Sequence, residues 1–306
     1  MKNLNSFSII GFGNQSKAWS MNLRDSGLEV SIGLRANSTS LAQVKAIGFK
    51  TFCINTEPCP NQSVAILTPD DTHSEIIQEL GRHNTELTIY FAHGFSMVQN
   101  QFAEKFPQFK FVLLAPKSIA SELRFRFETK ENLTAFYSLE FTDSNTLSQI
   151  EDLSNSLGIN NIYPTKFEEE TKADLVSEQS VLCSLIPYGI NEAFNTLIQR
   201  GYSKEIAFFE CFYESKLILD TIFKMGPVEF FKLISPNALI GSQIGKELLF
   251  DDEFKRKLNS LLDDIESRKF DAIIENTDID LMASHVHSFW SDQELNNTCL
   301  ELKGQL

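Results

Sequence analysis

The chain has 306 residues, 42% hydrophobic and 22% charged, with a formal net charge of -14. That length favours two domains, and the composition is ordinary for a globular protein. The acidic balance argues against nucleic acid and anionic membrane surfaces as partners, because both are met by basic patches.

Met1-Lys-Asn-Leu-Asn-Ser6 leads straight into a strand-like segment, which leaves no room for a signal peptide. Phe7-Ser-Ile-Ile-Gly-Phe-Gly-Asn-Gln-Ser-Lys-Ala18 then reads as an apolar strand, a glycine turn and a helix. In that setting a Gly-x-Gly-x-x-Gly pattern binds a dinucleotide. Gly11 allows the tight turn, Gly13 lets the backbone approach a pyrophosphate at the helix N-terminus, and Ser16 stands at the third position. The second strand, Leu28–Leu34, ends in Arg35-Ala-Asn-Ser-Thr-Ser40. An NAD site usually carries an acid there, whereas Arg35, Ser38 and Ser40 suit a 2′-phosphate, so NADPH is the expected cofactor. The same serines could instead cap the helix expected near Leu41.

Short apolar runs continue at Ser63–Leu67, Leu87–Ala92, Phe111–Ala115 and Thr134–Leu139, with a helix near Ser74–Leu80 and another ending near Leu157. Phe141-Thr-Asp-Ser-Asn145 reads as the N-terminal signal of that last helix. Such runs are typical of a parallel sheet covered on both faces, a doubly wound Rossmann-type domain over residues 1–164. Ligands of these sheets bind beyond the carboxyl ends of the strands, where Pro69, Asp70, His93 and Lys117 stand. The candidate cofactor residues are therefore Gly11, Phe12, Gly13, Asn14, Gln15, Arg35, Ser38, Ser40, Pro69, Asp70 and His93.

From about Thr165 helical periodicity replaces the strand signal, giving an all-helical second domain over 165–306. Helices are expected to about Arg200, from Ser203 to Lys224, through Phe231, and over Ile244–Phe250, Phe254–Ser267 and Leu281–Trp290; Met225-Gly-Pro227 breaks the second. Asp174 and Glu178 are one turn apart, on a stripe with Val181, Leu182 and Leu185. Glu210 and Glu214 repeat the pattern beside Ile206, Ala207, Leu217 and Ile218. Four carboxylates on faces expected to be buried, with no Lys or Arg on either stripe, suit a hard divalent cation such as Mg2+; solvated faces or basic partners from elsewhere are the plainer alternative. Ile206–Phe212 is apolar nearly all round and calls for an intersubunit interface. His285 and His287, two apart, fall on different helical faces and read as structural. Cys53, Cys59, Cys183, Cys211 and Cys299 show no C-x-x-C spacing and read as free thiols of a cytoplasmic protein.

Taken together, Gly11-Phe-Gly-Asn-Gln15, Asn22-Leu-Arg-Asp-Ser-Gly27, Phe91-Ala-His-Gly-Phe95, Ala115-Pro-Lys117, Glu169-Glu-Thr-Lys-Ala-Asp-Leu175, Glu178-Gln179 and Phe209-Glu-Cys211 with Glu214 resemble the ketol-acid reductoisomerases of the short, single-helical-domain type. The resemblance implies two magnesium ions on Asp174 and Glu178, with Glu210 and Glu214 supplied by the partner in a homodimer of knotted helical domains. It implies catalytic positions at His93, Lys117 and Glu178, and substrate contacts at Ser235 and Glu214. It further implies isomerisation and NADPH-dependent reduction of an acetohydroxy acid such as 2-acetolactate, in branched-chain amino-acid synthesis. Two stretches depart from the family's usual sequence: Ser118-Ile-Ala-Ser121 replaces a Pro-Gly-containing turn, and Pro236-Asn-Ala-Leu-Ile-Gly241 replaces a more polar segment. The alternatives are a metal-free reductase acting on another 2-hydroxy or 2-keto acid, and a non-catalytic NADP-binding paralogue.

Overall fold

The computed structural model describes residues 4–139 and 144–305. Two compact units, Met1–Thr171 and Lys172–Leu306, divide the chain. The expected boundary at 164 falls seven residues earlier, and Phe167 explains the difference. Its ring is 4% exposed and belongs to the core under the sheet, so the first turn of the helix Phe167–Ser177 stays with the first unit.

Eight strands build one sheet: β1 (Ser6–Ile10), β2 (Glu29–Leu34), β3 (Lys50–Cys53), β4 (Ser63–Ile66), β5 (Leu87–Phe91), β6 (Phe109–Pro116), β7 (Thr134–Leu139) and β8 (Asn161–Pro164). Their order is β3-β2-β1-β4-β5-β6-β7-β8. Every neighbouring pair is parallel except β6 with β7, which is antiparallel and pairs Leu114 with Tyr137. The alternation of side chains along each strand feeds two cores. Phe7 and Ile9 of β1 and Tyr90 of β5 face one cluster with Trp19 and Leu23, while Ile10, Ile89 and Phe91 face the other with Ile76 and Ile77.

The helices of this unit are α1 (Asn14–Asp25), α2 (Leu41–Ile47), α3 (His73–His83), α4 (Phe95–Asn100), α5 (Phe102–Lys105), α6 (Ala120–Thr129) and α7 (Ser144–Leu157). The expected start signal of α7 lies mostly at 141–143, outside the described residues. Buried Asn22 ties three of these helices together. Its Nδ2 donates to the Leu123 and Leu157 carbonyls at 3.4 and 3.0 Å, and its Oδ1 accepts from Arg124 at 2.9 Å.

Every secondary-structure element among the described residues of the second unit is a helix. The helix α8 (Phe167–Ser177) widens into i→i+5 hydrogen bonding over Glu178–Leu185 and resumes as α9 (Ile186–Gln199). Pro187 stands in the first turn of α9, where a missing N–H is tolerated. The next long helix repeats this form: α10 (Lys204–Phe208), a widened segment Phe209–Tyr213, and α11 (Glu214–Met225). Ser203 caps its start, accepting from the Ile206 N–H, and Gly226 at φ 82 ends it. There follow α12 (Pro227–Leu233), α13 (Pro236–Leu249), α14 (Asp252–Glu266), α15 (Lys269–Glu275), α16 (Ile279–Ser291) and α17 (Glu294–Leu302).

Among the described residues of this unit, the covered apolar side chains are Leu175, Phe194, Ala207, Phe208, Phe230, Ile265 and Leu295. That is a thin core for so many helices. The expectation that both acid pairs lie on buried stripes therefore does not hold within one chain. Val181, Leu182, Leu185, Ile206 and Leu217 are exposed, because the packing within the chain leaves those faces uncovered. All five cysteines are free, and among the described residues no helix is long and apolar enough to cross a membrane.

Candidate functional site

The strand order reverses between β1 and β4, and the loops leaving these strands meet there. Gly11 (φ +93) is required twice: the backbone is left-handed, and a Cβ would stand 2.5 Å from the Thr68 Cγ2. Its N–H donates to the Gly33 carbonyl at 3.0 Å, locking β1 to β2 at the turn. Ser16, at the third glycine position, is fully buried and donates to the Leu67 carbonyl at 3.2 Å, so it ties α1 to the β4 loop. No side chain caps α1, whose first-turn N–H groups open outward beside Gly13, and a Cβ on Gly13 would meet nothing within 4 Å. Buried Gln15 Oε1 accepts no hydrogen bond. These are the features of a cradle for a phosphate-bearing cofactor.

Beside this turn lies a cavity of about 470 Å³, lined by Ile10, Gly11, Phe12, Leu34, Arg35, Asn37, Ser38, Thr39, Thr68, Pro69, Thr72 and Ile76 among others. Of the expected cofactor residues it takes in Gly11, Phe12, Arg35, Ser38 and Pro69. The Phe12 ring itself packs into the core, edge-on to Phe49 at 6.2 Å. Gly13, Asn14, Gln15, Ser40, Asp70 and His93 stand outside that lining. Ser38 Oγ accepts the Ser40 N–H at 3.3 Å, which leaves its own O–H to donate, and the Ser40 side chain caps nothing on α2.

At the end of β4, Asp70 Oδ1 accepts the Ser96 N–H at 3.3 Å. Next to it His73 is 4% exposed, with Nε2 at 2.9 Å from the Thr68 carbonyl and Nδ1 at 2.6 Å from Ser96 Oγ. A carbonyl can only accept, so Nε2 carries the proton and Nδ1 accepts from Ser96. Burial lowers the His73 pKa from 6.5, and the neighbouring Asp70 only partly opposes it. The ring is neutral in the folded protein, while the unfolded chain takes up a proton near pH 6.5. Stability from this group is thus present above that pH and lost as pH falls from it towards the folded value. Urea titrations at about pH 7.5 and 5.5 should show a loss of up to about 1.4 kcal/mol per pH unit within the window. His73→Gln should flatten that slope; an unchanged slope in the variant rules His73 out as its source.

After β5, the His93 ring stacks near Phe95 with centroids 6.4 Å apart. The following Gly94 brings this loop against α8: a Cβ there would stand 2.3 Å from Thr171 Oγ1 and 3.2 Å from the Phe167 ring. That close approach sets Glu170 beside His93, their ligand atoms within 4.8 Å. The Glu170 side chain is 2% exposed and is held by Lys117, whose Nζ is 2.5 Å from Oε1, while Oε2 accepts no hydrogen bond. Asp174, half-buried, follows one turn later on the same unbroken helix. Sequence reasoning missed Glu170, the third acid in Glu168-Glu169-Glu170; the apolar Phe167 three residues before it was the available signal.

Glu178, Glu210 and Glu214 are exposed and join no group of three or more potential ligands among the described residues. Glu178 and Glu210 sit at the start of the two widened helical segments, and Glu214 opens α11 just after the second. Such segments recur at functional sites. Ser235 caps α13, its Oγ accepting the Ala238 N–H at 3.2 Å, with Pro236 at the first helical position. Ile119, in the stretch after Lys117, is 73% exposed and precedes α6.

The acetohydroxy acid isomeroreductase NADPH-binding domain family matches residues 3–161, and the ketol-acid reductoisomerase C-terminal domain family matches residues 167–296. The chain belongs to the ketol-acid reductoisomerase family. It is 32% identical over 270 residues to the ketol-acid reductoisomerase (NADP(+)) of Clostridioides difficile (strain 630), covering 86% of this chain and 81% of that protein. Members of this family are oxidoreductases. Among solved structures, an NADH-preferring ketol-acid reductoisomerase from an uncultured archaeon superposes with a TM-score of 0.85 at 22% identity, covering 99% of this chain and 95% of that one. A pyrroline carboxylate reductase of Plasmodium falciparum gives 0.56 at 13% identity over 86% and 95% of the two chains. At those identities the structures establish a shared fold, a dinucleotide-type sheet with a helical second unit.

Proposed function

We propose that the chain is an NADPH- and Mg2+-dependent ketol-acid reductoisomerase acting on an acetohydroxy acid such as 2-acetolactate, in branched-chain amino-acid synthesis. The cofactor would lie along the Gly11–Gln15 turn, with Arg35 and Ser38 toward the 2′-phosphate. The observation that carries the metal reading is Glu170 Oε2, a buried carboxylate oxygen without a hydrogen-bond partner, beside His93 and one helical turn from Asp174. Hard oxygen ligands of this kind suit Mg2+. Asp174 and Glu178 would hold it, with Glu210 and Glu214 from the partner subunit. A bound divalent cation would polarise the substrate ketone and ease ionisation of the neighbouring hydroxyl.

In 2-acetolactate the hydroxyl loses its proton as the methyl group leaves its carbon and bonds to the adjacent ketone carbon. The migration turns the old hydroxyl into a ketone and the old ketone into a hydroxyl. Bound NADPH would supply the hydride that, with a proton, reduces the new ketone to give a 2,3-dihydroxy acid. Glu178 is the proposed acceptor of the hydroxyl proton. Lys117, held by Glu170, and His93 stand at the strand ends, where a cation and a ring N–H would steady developing oxygen charge. Ser235 keeps its O–H as a donor for the substrate carboxylate, since its oxygen only accepts from Ala238. The uncovered apolar faces around Val181, Leu182 and Leu217 support a homodimer, because patches of this kind mark association surfaces.

The deciding experiment follows NADPH oxidation with racemic 2-acetolactate, first with Mg2+ and then with EDTA. Oxidation that depends on the metal is expected. Oxidation that survives chelation favours the metal-free reductase. Binding of NADPH with no turnover of any acetohydroxy acid favours a non-catalytic paralogue.

A further inference from the structure

The cavity beside the glycine turn has one charged residue in its lining among the described residues, Arg35 at the end of β2. Its guanidinium is not directed at solvent alone. The Arg35 Nη2 donates to Glu75 Oε2 at 3.1 Å. Glu75 lies in the first turn of α3, between Thr72 and Ile76, which both line the cavity. The pair therefore bridges two rims of the cavity, the loop after β2 and the helix after β4. Both side chains are about half exposed, 46% and 60%, so the contact adds little to stability. What it changes is the charge that a ligand meets. A 2′-phosphate bears between one and two negative charges near neutral pH and would reach the same guanidinium. It would then lie beside a carboxylate already bonded to that group.

We propose that Glu75 is a cofactor-selectivity residue, holding Arg35 across the cavity while its own charge opposes the 2′-phosphate and so narrows the preference for NADPH over NADH. The inference rests on reading this cavity as the adenosine end of the cofactor site. NADH places only a neutral hydroxyl at that point, so the Glu75 charge acts on one nucleotide and not on the other. The acid is supplied from α3 rather than from the end of β2, where an NAD site usually carries it.

The test is isothermal titration of the full chain with NADPH and with NADH, without metal or substrate, for wild type, Glu75→Gln and Arg35→Gln. The amide keeps an oxygen for the Arg35 N–H and removes the charge. Glu75→Gln should tighten NADPH about twofold to fivefold, the scale of one exposed charge contact, and leave NADH nearly unchanged. The gain should shrink in about 0.5 M salt, where exposed charges are screened. An unchanged or reduced ratio of the two affinities in Glu75→Gln overturns the proposal. Arg35→Gln should weaken NADPH more than NADH. Equal losses would show instead that Arg35 does not read the phosphate, a failure of the underlying cofactor reading that is distinct from the Glu75 result. Binding of neither nucleotide to the wild type overturns both.

Discussion

Lys117→Met should lower stability by about 2–3 kcal/mol and turnover by about a hundredfold or more. The Glu170 side chain is 2% exposed, and Lys117 is the cation on its Oε1, with Oε2 already lacking a hydrogen bond. Removing the lysine leaves a buried carboxylate uncompensated, which costs more than the pair itself contributes. The cost is below that of a fully buried pair because the Lys117 side chain is 33% exposed. A double variant, Lys117→Met with Glu170→Leu, separates the two effects. Replacing both charges by apolar groups of similar volume is often neutral, so the double variant should recover most of the stability measured by urea denaturation. It should not recover turnover. If Lys117→Met alone unfolds at the wild-type urea midpoint, the ion pair does not hold Glu170 in place. If the double variant turns over normally, neither residue belongs to the chemistry.

The parts of this structure that were legible in the sequence are those where one residue's conformation or burial decides an element. Gly11 reads as a turn glycine and is one, at φ +93 against Thr68. Ser16 reads as a small residue for close packing, and its hydroxyl adds a bond to the Leu67 carbonyl. Met225-Gly-Pro227 reads as a break and ends α11. The misses share a cause, which is that tertiary pairing supplied what local pattern lacked. The strand β3 has four residues and one buried side chain, Phe52, so its alternation is too short to see. The strand β8 is mostly exposed and ends in Pro164, which reads as a loop. The direction of β7 is not carried by its residues at all, only by its partner β6. Ser235-Pro236 carries a helix start that the expected start near Ile244 overlooks, a serine cap followed by proline at the first position, and α13 begins there.

The site shows the same division. The i, i+4 spacing of Asp174 and Glu178 and of Glu210 and Glu214 was visible in the sequence, and so was the apolar character around them. Their burial was not, because it depends on what covers Val181, Leu182, Leu185 and Leu217, and within one chain nothing does. Glu170 was hidden among three consecutive acids. It is distinguished by Phe167, which plants the first turn of α8 in the sheet core, and by Gly94, whose missing Cβ lets the His93 loop approach Thr171. Neither property belongs to the glutamate.

Glu210→Gln should abolish magnesium-dependent turnover, by about a thousandfold, while leaving the NADPH affinity within about twofold. Glu210 is exposed in the chain and lies in the widened segment Phe209–Tyr213, flanked by exposed Phe209 and Phe212. An acid in the middle of an uncovered apolar surface is a poor choice for an interface unless the charge is used there, because covering it without a cation is costly. Glutamine has the same shape and hydrogen-bonds as well, but it lacks the charge a hard cation selects. Folding of the chain should be unaffected, since the side chain is exposed within it, and the thermal midpoint measured without Mg2+ should not fall below that of the wild type. Raising Mg2+ should restore part of the activity if the charge acts through metal affinity. Full activity at ordinary Mg2+ would remove Glu210 from the ligand set. A parallel loss of NADPH affinity would mean that the residue supports the assembly rather than the metal, and the same sample in a sedimentation run would show it as dissociation.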